Sequence, residues 1–207
     1  MALRRFTADS SAWATPAATL PAHTWGVQDL DAEDAGVRRE AVWMAQPSDA
    51  LAQAICDRLT NEQDSSVLEA MFVALSRCQA TVVVPAMFEL LSSEEVLLRT
   101  RALEVLEAYP QEVAALMLEH LTQAEPDVRI FLVNLMVGLQ HADVLQWLGH
   151  VLAHDTHNNV IAAALDVALE VAGPSLKAAV QLAKQRFTAD PFIAFAADLV
   201  LQRIESQ

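Results

Sequence analysis

Hydrophobic and polar positions recur along this chain with a period of about thirty residues. Six apolar residues mark the same place in successive units: Val37, Val67, Leu98, Val128, Val160 and Phe192. The steps between them are 30, 31, 30, 32 and 32 residues. Apolar or small residues follow each marker after four and eight positions, which is the spacing of one face of an α-helix. A fixed period in this range is typical of a solenoid of stacked helical repeats.

The polar positions predict where the helices begin. An acidic residue stands three places before four of the markers, at Asp34, Asp64, Glu95 and Glu125. Acidic side chains suit a helix N-terminus because the free backbone N–H groups and the helix dipole favour negative charge there. Second helices are predicted between these first helices, near residues 48–61, 81–92, 110–123, 142–154 and 174–188, with a closing helix at 190–205. The pattern therefore predicts an all-α solenoid of five helix pairs and a closing C-terminal helix.

The first thirty residues do not follow the repeat. They contain Trp13, Trp25, Pro16 and Pro21 in a background of alanine, serine and threonine. Such a segment can be a strap along the solenoid, a tail that docks elsewhere, or a cover for the outer face of the first repeat. The sequence thus predicts two parts, an N-terminal extension at 1–30 and a repeat solenoid at 31–207.

Composition and charge narrow the classes of function. Hydrophobic residues make up 54% of the chain and charged residues 19%, which is the composition of a folded protein. The formal net charge of −14 repels phosphate backbones and argues against binding to nucleic acid or to an anionic membrane. No apolar run is long enough to span a bilayer, and Asp9, Ser10 and Ser11 interrupt a possible signal peptide, so we expect a cytoplasmic protein. Cys56 and Cys78 lie in apolar helical patterns and are predicted to be small buried residues rather than a disulfide.

Two segments carry a resemblance to a known family. Residues 34–41 (DAGVRREA) and 125–129 (EPDVR) both combine an acidic cap with a valine–arginine step. They resemble the short HEAT-like repeats of bacterial proteins, including those of the phycobilisome-lyase type. The resemblance extends from Asp31 to the end of the chain and implies a right-handed α–α superhelix. It leaves function open, because the family contains adaptors, assembly factors, subunits of bilin lyases and a few enzymes.

The resemblance also implies a role for the arginine that follows the marker residue. Arg38, Arg99 and Arg129 stand at the arginine position of the family. In such repeats this arginine pairs with an acid of a neighbouring repeat, so we interpret the three as structural. The other repeats depart from the pattern at this position, with Leu68, Ile161 and Ile193.

The second helices carry the candidate binding residues. The resemblance implies that these helices line the concave surface of the solenoid. Four leucines are aligned as buried residues: Leu59, Leu91, Leu121 and Leu152. Two places before them stand four polar residues that would face the groove: Asp57, Glu89, Glu119 and His150. An acidic groove would attract a basic segment of another protein, although a solvated helix face also carries acids without any such role.

A histidine cluster follows the acidic positions. His150 and His154 are four residues apart and therefore share a helical face, which is also a spacing of zinc ligands. A metal site would need a third ligand such as His157, in the turn that follows. The alternative is that Trp147 and His150 form a contact patch at one end of the groove, because aromatic residues are frequent anchors of binding. We favour the contact patch and predict no bound metal or cofactor.

Recognisable catalytic motifs do not occur in the sequence. It contains neither a Gly-x-x-x-x-Gly-Lys phosphate loop nor a Gly-x-Ser-x-Gly turn. The di-iron hydroxylases built from HEAT-like repeats carry repeated His-Glu pairs, and this chain has none. We therefore predict a non-catalytic adaptor or assembly factor that binds a basic or amphipathic protein segment through Asp57, Glu89, Glu119, Trp147 and His150. The alternative that the resemblance leaves open is a subunit of a bilin lyase or of another cofactor-handling enzyme.

Overall fold

The structure is a computed structural model that describes residues 24–171 and 173–206. Within these ranges the chain forms eleven α-helices and two short 3₁₀ helices, at Val27–Asp31 and Pro174–Leu176. The α-helices are α1 (Ala35–Met44), α2 (Asp49–Arg58), α3 (Ser65–Leu75), α4 (Ala80–Leu90), α5 (Val96–Leu106), α6 (Pro110–Gln123), α7 (Pro126–Gly138), α8 (Val144–His154), α9 (Asn158–Val171), α10 (Lys177–Arg186) and α11 (Pro191–Glu205). The prediction of five helix pairs and a closing helix is confirmed.

The helices are stacked in two layers. The first helices of the pairs and the closing helix form one layer, and the second helices α2, α4, α6, α8 and α10 form the other. Each second helix contacts the next one in the layer, which is the arrangement of a helical-repeat solenoid. In the first layer α1 contacts α3, α3 contacts α5, α7 contacts α9 and α9 contacts α11. The helices α5 and α7 pack less closely than these pairs.

The acidic residues predicted at the helix starts are the N-caps of their helices. Asp34 accepts a hydrogen bond from the backbone N–H of Val37 at 3.0 Å, and Asp64 caps α3 in the same way. Glu95 and Glu125 occupy the cap positions of α5 and α7, but their side chains accept no backbone N–H. The shorter aspartate side chain reaches the free N–H groups of the first turn, and it therefore satisfies donors that would otherwise have no partner.

The buried ladder follows the predicted repeat, with one shift of register. In α3 all three ladder positions are fully buried. Phe192, the predicted marker of the last repeat, is 55% exposed, whereas Ile193 is 1% exposed. The prediction at Phe192 is wrong by one residue because Asp190 caps α11, and the third residue after this cap, Ile193, faces the core. The arginine position of this last repeat is accordingly held by Ala194 instead of Ile193.

The end of the N-terminal extension covers the first repeat. The 3₁₀ helix at Val27–Asp31 packs against α1 and α2, where Leu30 is buried and Trp25 is half-buried against the core. This part of the extension therefore belongs to the packed structure of the first helix pair. Trp13 and the rest of residues 1–23 lie outside the described residues.

Two of the three predicted arginine–acid pairs are present. Arg38 donates through Nε and Nη2 to the two carboxylate oxygens of Glu62, at 2.7 Å each. Arg129 binds Asp155 through the same two nitrogens, at 2.7 and 3.1 Å. The Nη1 atom of each arginine donates to backbone carbonyls of the turn before its own helix. Each pair therefore ties the start of a first helix to the turn that leads into the next repeat.

The charge of Glu62 is strongly stabilised in the folded state. Its side chain is 1% exposed, and burial would raise its pKa. Hydrogen bonds from Arg38, Arg58 and the backbone N–H groups of Gln63 and Asp64 outweigh burial and lower the pKa from 4.5 to about 2.

Two expectations from composition can be compared with the structure. Among the described residues, no helix has both the length and the apolar character needed to cross a bilayer. Cys56 and Cys78 are free thiols, of which Cys78 is buried and Cys56 half-buried.

Candidate functional site

Three predicted acids lie on the layer of second helices, and we call their surface the acidic face. Asp57 on α2, Glu89 on α4 and Glu119 on α6 are all exposed. Asp57 and Glu89 line one depression of about 380 Å³ between α2 and α4. Glu119 does not line this depression but lies on the next helix of the same layer. The structure thus brings two of the acids together and places the third on the adjacent helix.

The half-buried thiol of Cys56 also lines this depression. Burial, and then the nearby charge of Asp57, raise the pKa of Cys56 to about 11. The thiol is therefore protonated at neutral pH, and a protonated thiol is a poor nucleophile and a poor metal ligand. Asp57 itself accepts a hydrogen bond from the Nε2 atom of Gln53 at 2.8 Å, one helical turn away.

A ring stack holds α6 against α4 and so fixes the place of Glu119. The imidazole of His120 lies on the buried ring of Phe88, with 4.2 Å between the ring centroids and 15° between the ring planes. Adjacent residues of a helix point about 100° apart, so a His120 directed at α4 turns Glu119 away from that contact.

The prediction of an exposed anchor at Trp147 is wrong. The indole is 4% exposed, and it packs with Val144, Leu148 and Val151 on the buried side of α8. Its ring stacks on His141, in the turn before the helix, with centroids 5.1 Å apart. Trp147 is three residues before His150 but also three after Val144, and the apolar side of the helix takes the large ring.

His150 lies in a second depression of about 260 Å³, lined also by Thr122, Arg129, His154 and Asp155. The rings of His150 and His154 are 4.8 Å apart and tilted by 51°. Burial, and then the proximity of His154, lower the pKa of His150 below its usual value. At neutral pH the His150 imidazole is therefore uncharged and offers one donor and one acceptor.

The three histidines considered as metal ligands do not form a site. Across residues 24–171 and 173–206, no group of three histidine, cysteine or acidic side chains is arranged to hold a metal ion. His157 is at the start of α9, where its backbone N–H donates to Asp155 at 2.8 Å. Its Nδ1 atom is buried and has no hydrogen-bond partner within the described chain.

A larger cleft, which sequence reasoning missed, opens between the starts of α5 and α7. We call it the α5–α7 cleft. It has a volume of about 500 Å³, and its apolar lining comprises Leu91, Val128, Ile130 and Phe131. Its polar lining comprises Ser92, Ser93, Glu94, Arg99, Glu125 and Asp127. The cleft lies where the first helices pack less closely.

Arg99 lies in the lining of this cleft, and the third predicted arginine–acid pair is absent. The guanidinium carbon of Arg99 lies 5.4 Å from the ring centroid of Phe131. Among the residues that the structure describes, no acidic side chain pairs with Arg99. The signal that could have found this site is Gln123, which stands two residues before the cap of α7. In the other two repeats the acid stands at the same distance from the residue that precedes the next first helix. Glu62 is two residues before Asp64, and Asp155 is two residues before His157.

The chain is similar to solved structures at low sequence identity. No protein-family model matches the chain, and no curated protein matches it. Among solved structures, human deoxyhypusine hydroxylase in complex with glycerol is similar at 17% identity and a TM-score of 0.46, over 87% of this chain and 83% of that one. Two engineered proteins are similar at 16% identity, with TM-scores of 0.42 and 0.41 over 87% of this chain and 95% and 97% of theirs.

Proposed function

We propose that this protein is a non-catalytic adaptor or assembly factor that binds a basic segment of another protein along the acidic face. The observation that supports the proposal most is the shared depression of Asp57 and Glu89, both exposed, on a layer of stacked helices. The resemblance to HEAT-like repeats of the phycobilisome-lyase type would make this layer the concave side of the solenoid. A repeat scaffold offers such an extended surface because each repeat adds one helix to it.

The charge of the acidic face selects the partner. Neighbouring carboxylates on an acidic protein of net charge −14 raise the local concentration of lysine- and arginine-rich segments and speed their association. The same charge disfavours nucleic acids and anionic membranes, so the partner is a protein, and we expect the encounter in the cytoplasm. His150, which is neutral at pH 7, adds a polar contact on α8 without adding charge.

Chemistry on the acidic face is disfavoured by its own groups. The Cys56 thiol lies beside the two acids, but its pKa of about 11 leaves little thiolate at neutral pH. The alternative of a bilin lyase subunit makes a separate prediction, namely a coloured protein after co-production with a bilin source.

The test is affinity capture from a lysate of the source cell with the wild type and with the triple variant Asp57→Lys, Glu89→Lys, Glu119→Lys. The matched control is the triple variant Glu40→Lys, Asp166→Lys, Glu170→Lys, which changes the net charge equally through exposed residues of the first-helix layer. Capture is compared at low and at moderate salt, because salt screens exposed charges beyond about 10 Å at 0.1 M.

The proposal expects a partner that the wild type and the control retain, that the acidic-face variant loses, and that salt weakens. A partner retained by both triple variants would move the interface to another surface. A purified protein that carries a visible chromophore would favour the lyase alternative over the adaptor.

A further inference from the structure

Arg38, Arg99 and Arg129 hold equivalent positions in three repeats, so the contacts of their guanidinium groups can be compared. Arg99 donates through Nη1 to the carbonyls of Ser93 and Glu94, at 2.6 and 2.9 Å. Arg38 donates through Nη1 to the two equivalent carbonyls before α1, both at 2.9 Å. The two guanidinium groups are therefore anchored to the backbone in the same way.

The other side of the guanidinium distinguishes Arg99. The Nε and Nη2 atoms of Arg38 and Arg129 form a fork that binds both oxygens of one carboxylate. The same fork of Arg99 donates to no side chain within residues 24–171 and 173–206. At the repeat position of the missing acid, Gln123 is exposed and makes no hydrogen bond to Arg99. The described residues thus show twice which ligand this fork takes, and in the third repeat they do not supply that ligand.

The fork of Arg99 lies in a cleft that is large enough for a side chain from outside. The α5–α7 cleft, of about 500 Å³, has an apolar wall that includes Leu91, Val128 and Phe131. The guanidinium carbon of Arg99 lies over the ring of Phe131, within the range of a cation–π contact. A bidentate pair between a guanidinium and a carboxylate is directional and about twice as strong as a neutral hydrogen bond.

The cleft is continuous with the acidic face. Ser92 and Ser93 line both the depression of Asp57 and Glu89 and the α5–α7 cleft. A segment that lies in the depression of Asp57 and Glu89 is therefore close to the cleft.

The other charges of the cleft restrict what the carboxylate is attached to. Glu94, Glu125 and Asp127 are exposed in the lining and repel an isolated anion. A carboxylate that has lysine or arginine on either side suits this lining. The flanking cations pair with the three acids, while the carboxylate pairs with Arg99.

We propose that the α5–α7 cleft binds an aspartate or glutamate side chain of a partner protein, flanked there by basic residues. Arg99 takes the carboxylate through Nε and Nη2, as Arg38 takes Glu62 within the chain. The inference rests on the proposed function, because it names the residue pattern inside the basic segment that the acidic face attracts.

The test uses the full chain and two peptides, acetylated at one end and amidated at the other. In both, lysines and leucines flank one central residue, which is glutamate in the first peptide and glutamine in the second. Fluorescence anisotropy gives the Kd of each peptide for the wild type, for Arg99→Gln and for Arg99→Lys. The matched control is Arg101→Gln, on the same helix, where the side chain is paired with Glu69 and Glu104 outside the cleft.

We expect the wild type and Arg101→Gln to bind the glutamate peptide about five- to tenfold more tightly than the glutamine peptide. The preference should vanish in Arg99→Gln and weaken in Arg99→Lys, since lysine lacks the planar fork. In the wild type, the NMR signal of the Arg99 Nε–H should shift with the glutamate peptide only, which requires no variant to fold.

The opposite results overturn the inference. Equal affinity of the two peptides for the wild type, a preference that persists in Arg99→Gln, or an unmoved Arg99 signal would each do so. If the peptides bind equally and the acidic-face triple variant loses both, the proposed function stands and the inference about the cleft falls. If neither peptide binds the wild type at millimolar concentration, both fall.

Discussion

Glu62 is a buried carboxylate that is held by two arginines and two backbone N–H groups. Its pKa in the folded protein is about 2, below the ordinary 4.5, because these hydrogen bonds outweigh the effect of burial. A carboxylate whose pKa is lowered by folding stabilises the folded state above pH 4.5. That contribution is lost as the pH falls from 4.5 towards 2, and a shift of this size corresponds to about 3 kcal/mol.

The Glu62→Gln variant tests this contribution. At pH 7 we expect it to lower the free energy of unfolding by about 3 kcal/mol, since Arg38 keeps its buried charge without a partner. The difference from the wild type should narrow between pH 4.5 and pH 2, as the wild type loses its own contribution. Urea unfolding at a series of pH values measures the difference, with Glu40→Gln on the exposed face of α1 as the control. A difference that stays constant down to pH 2 would contradict the lowered pKa.

Single residues also show where sequence reasoning reaches its limit. The resemblance to HEAT-like repeats implied an acidic partner for the three arginines, but it identified neither Glu62 nor Asp155, and Arg99 has no such partner among the described residues. The burial of Trp147 could not be predicted, because its spacing of three fits both the buried Val144 and the half-buried His150. Its stack on His141 decides the orientation, and that residue lies in a turn whose geometry no helical period describes.

For the last helix, α11, the hydrophobic period did not determine which face is buried. Phe192, Ile193, Phe195 and Ala196 are all apolar, so more than one face of α11 fits the pattern. The cap at Asp190 selects the face, because its side chain accepts from the N–H of Ile193 and fixes the start of the helix. The core then receives Ile193, while Phe192 and Phe195 are 55% and 62% exposed.

A pair of substitutions in α11 tests this register. We expect Ile193→Ala to lower the free energy of unfolding by about 2–4 kcal/mol, because it opens a cavity at a fully packed position. Phe192→Ala removes a larger side chain but should change stability by only about 0.5 kcal/mol, since the ring is more than half exposed. Urea unfolding of both variants under one condition gives the comparison. A larger loss of stability in Phe192→Ala than in Ile193→Ala would contradict this register and would place Phe192 in the core.

At the scale of the whole molecule, the sequence period predicted the number and order of the helices. It did not predict that the first-helix layer is weakest between α5 and α7. At the same junction Gln123 stands where the other two repeats have an acid, and Arg99 contacts the ring of Phe131. Gln123 is visible in the sequence once Glu62 and Asp155 are known as the arginine partners, but the looser packing of α5 on α7 and the contact of Arg99 with Phe131 appear only in three dimensions.

The stability of a solenoid is close to a sum over repeats and their interfaces, so a new contact at the weakest junction should stabilise the whole chain. Gln123→Glu places a carboxylate at the repeat position held elsewhere by Glu62 and Asp155. We expect the free energy of unfolding to rise by about 1 kcal/mol, and the preference for the glutamate peptide to disappear. Urea unfolding at neutral pH measures the gain, with the exposed Gln140→Glu as the control. An unchanged stability would contradict the expected ion pair between Arg99 and the introduced carboxylate.

The looser packing of α5 on α7 has a consequence for the shape of the whole solenoid. When stiff units are joined in series, deformation concentrates at the most compliant joint. We therefore expect bending of the solenoid to be concentrated at the α5–α7 junction, between repeats one to three and the remaining repeats. A partner side chain bound in the α5–α7 cleft would change the angle between the two groups of repeats. Binding of the partner would thus alter the curvature of the acidic face.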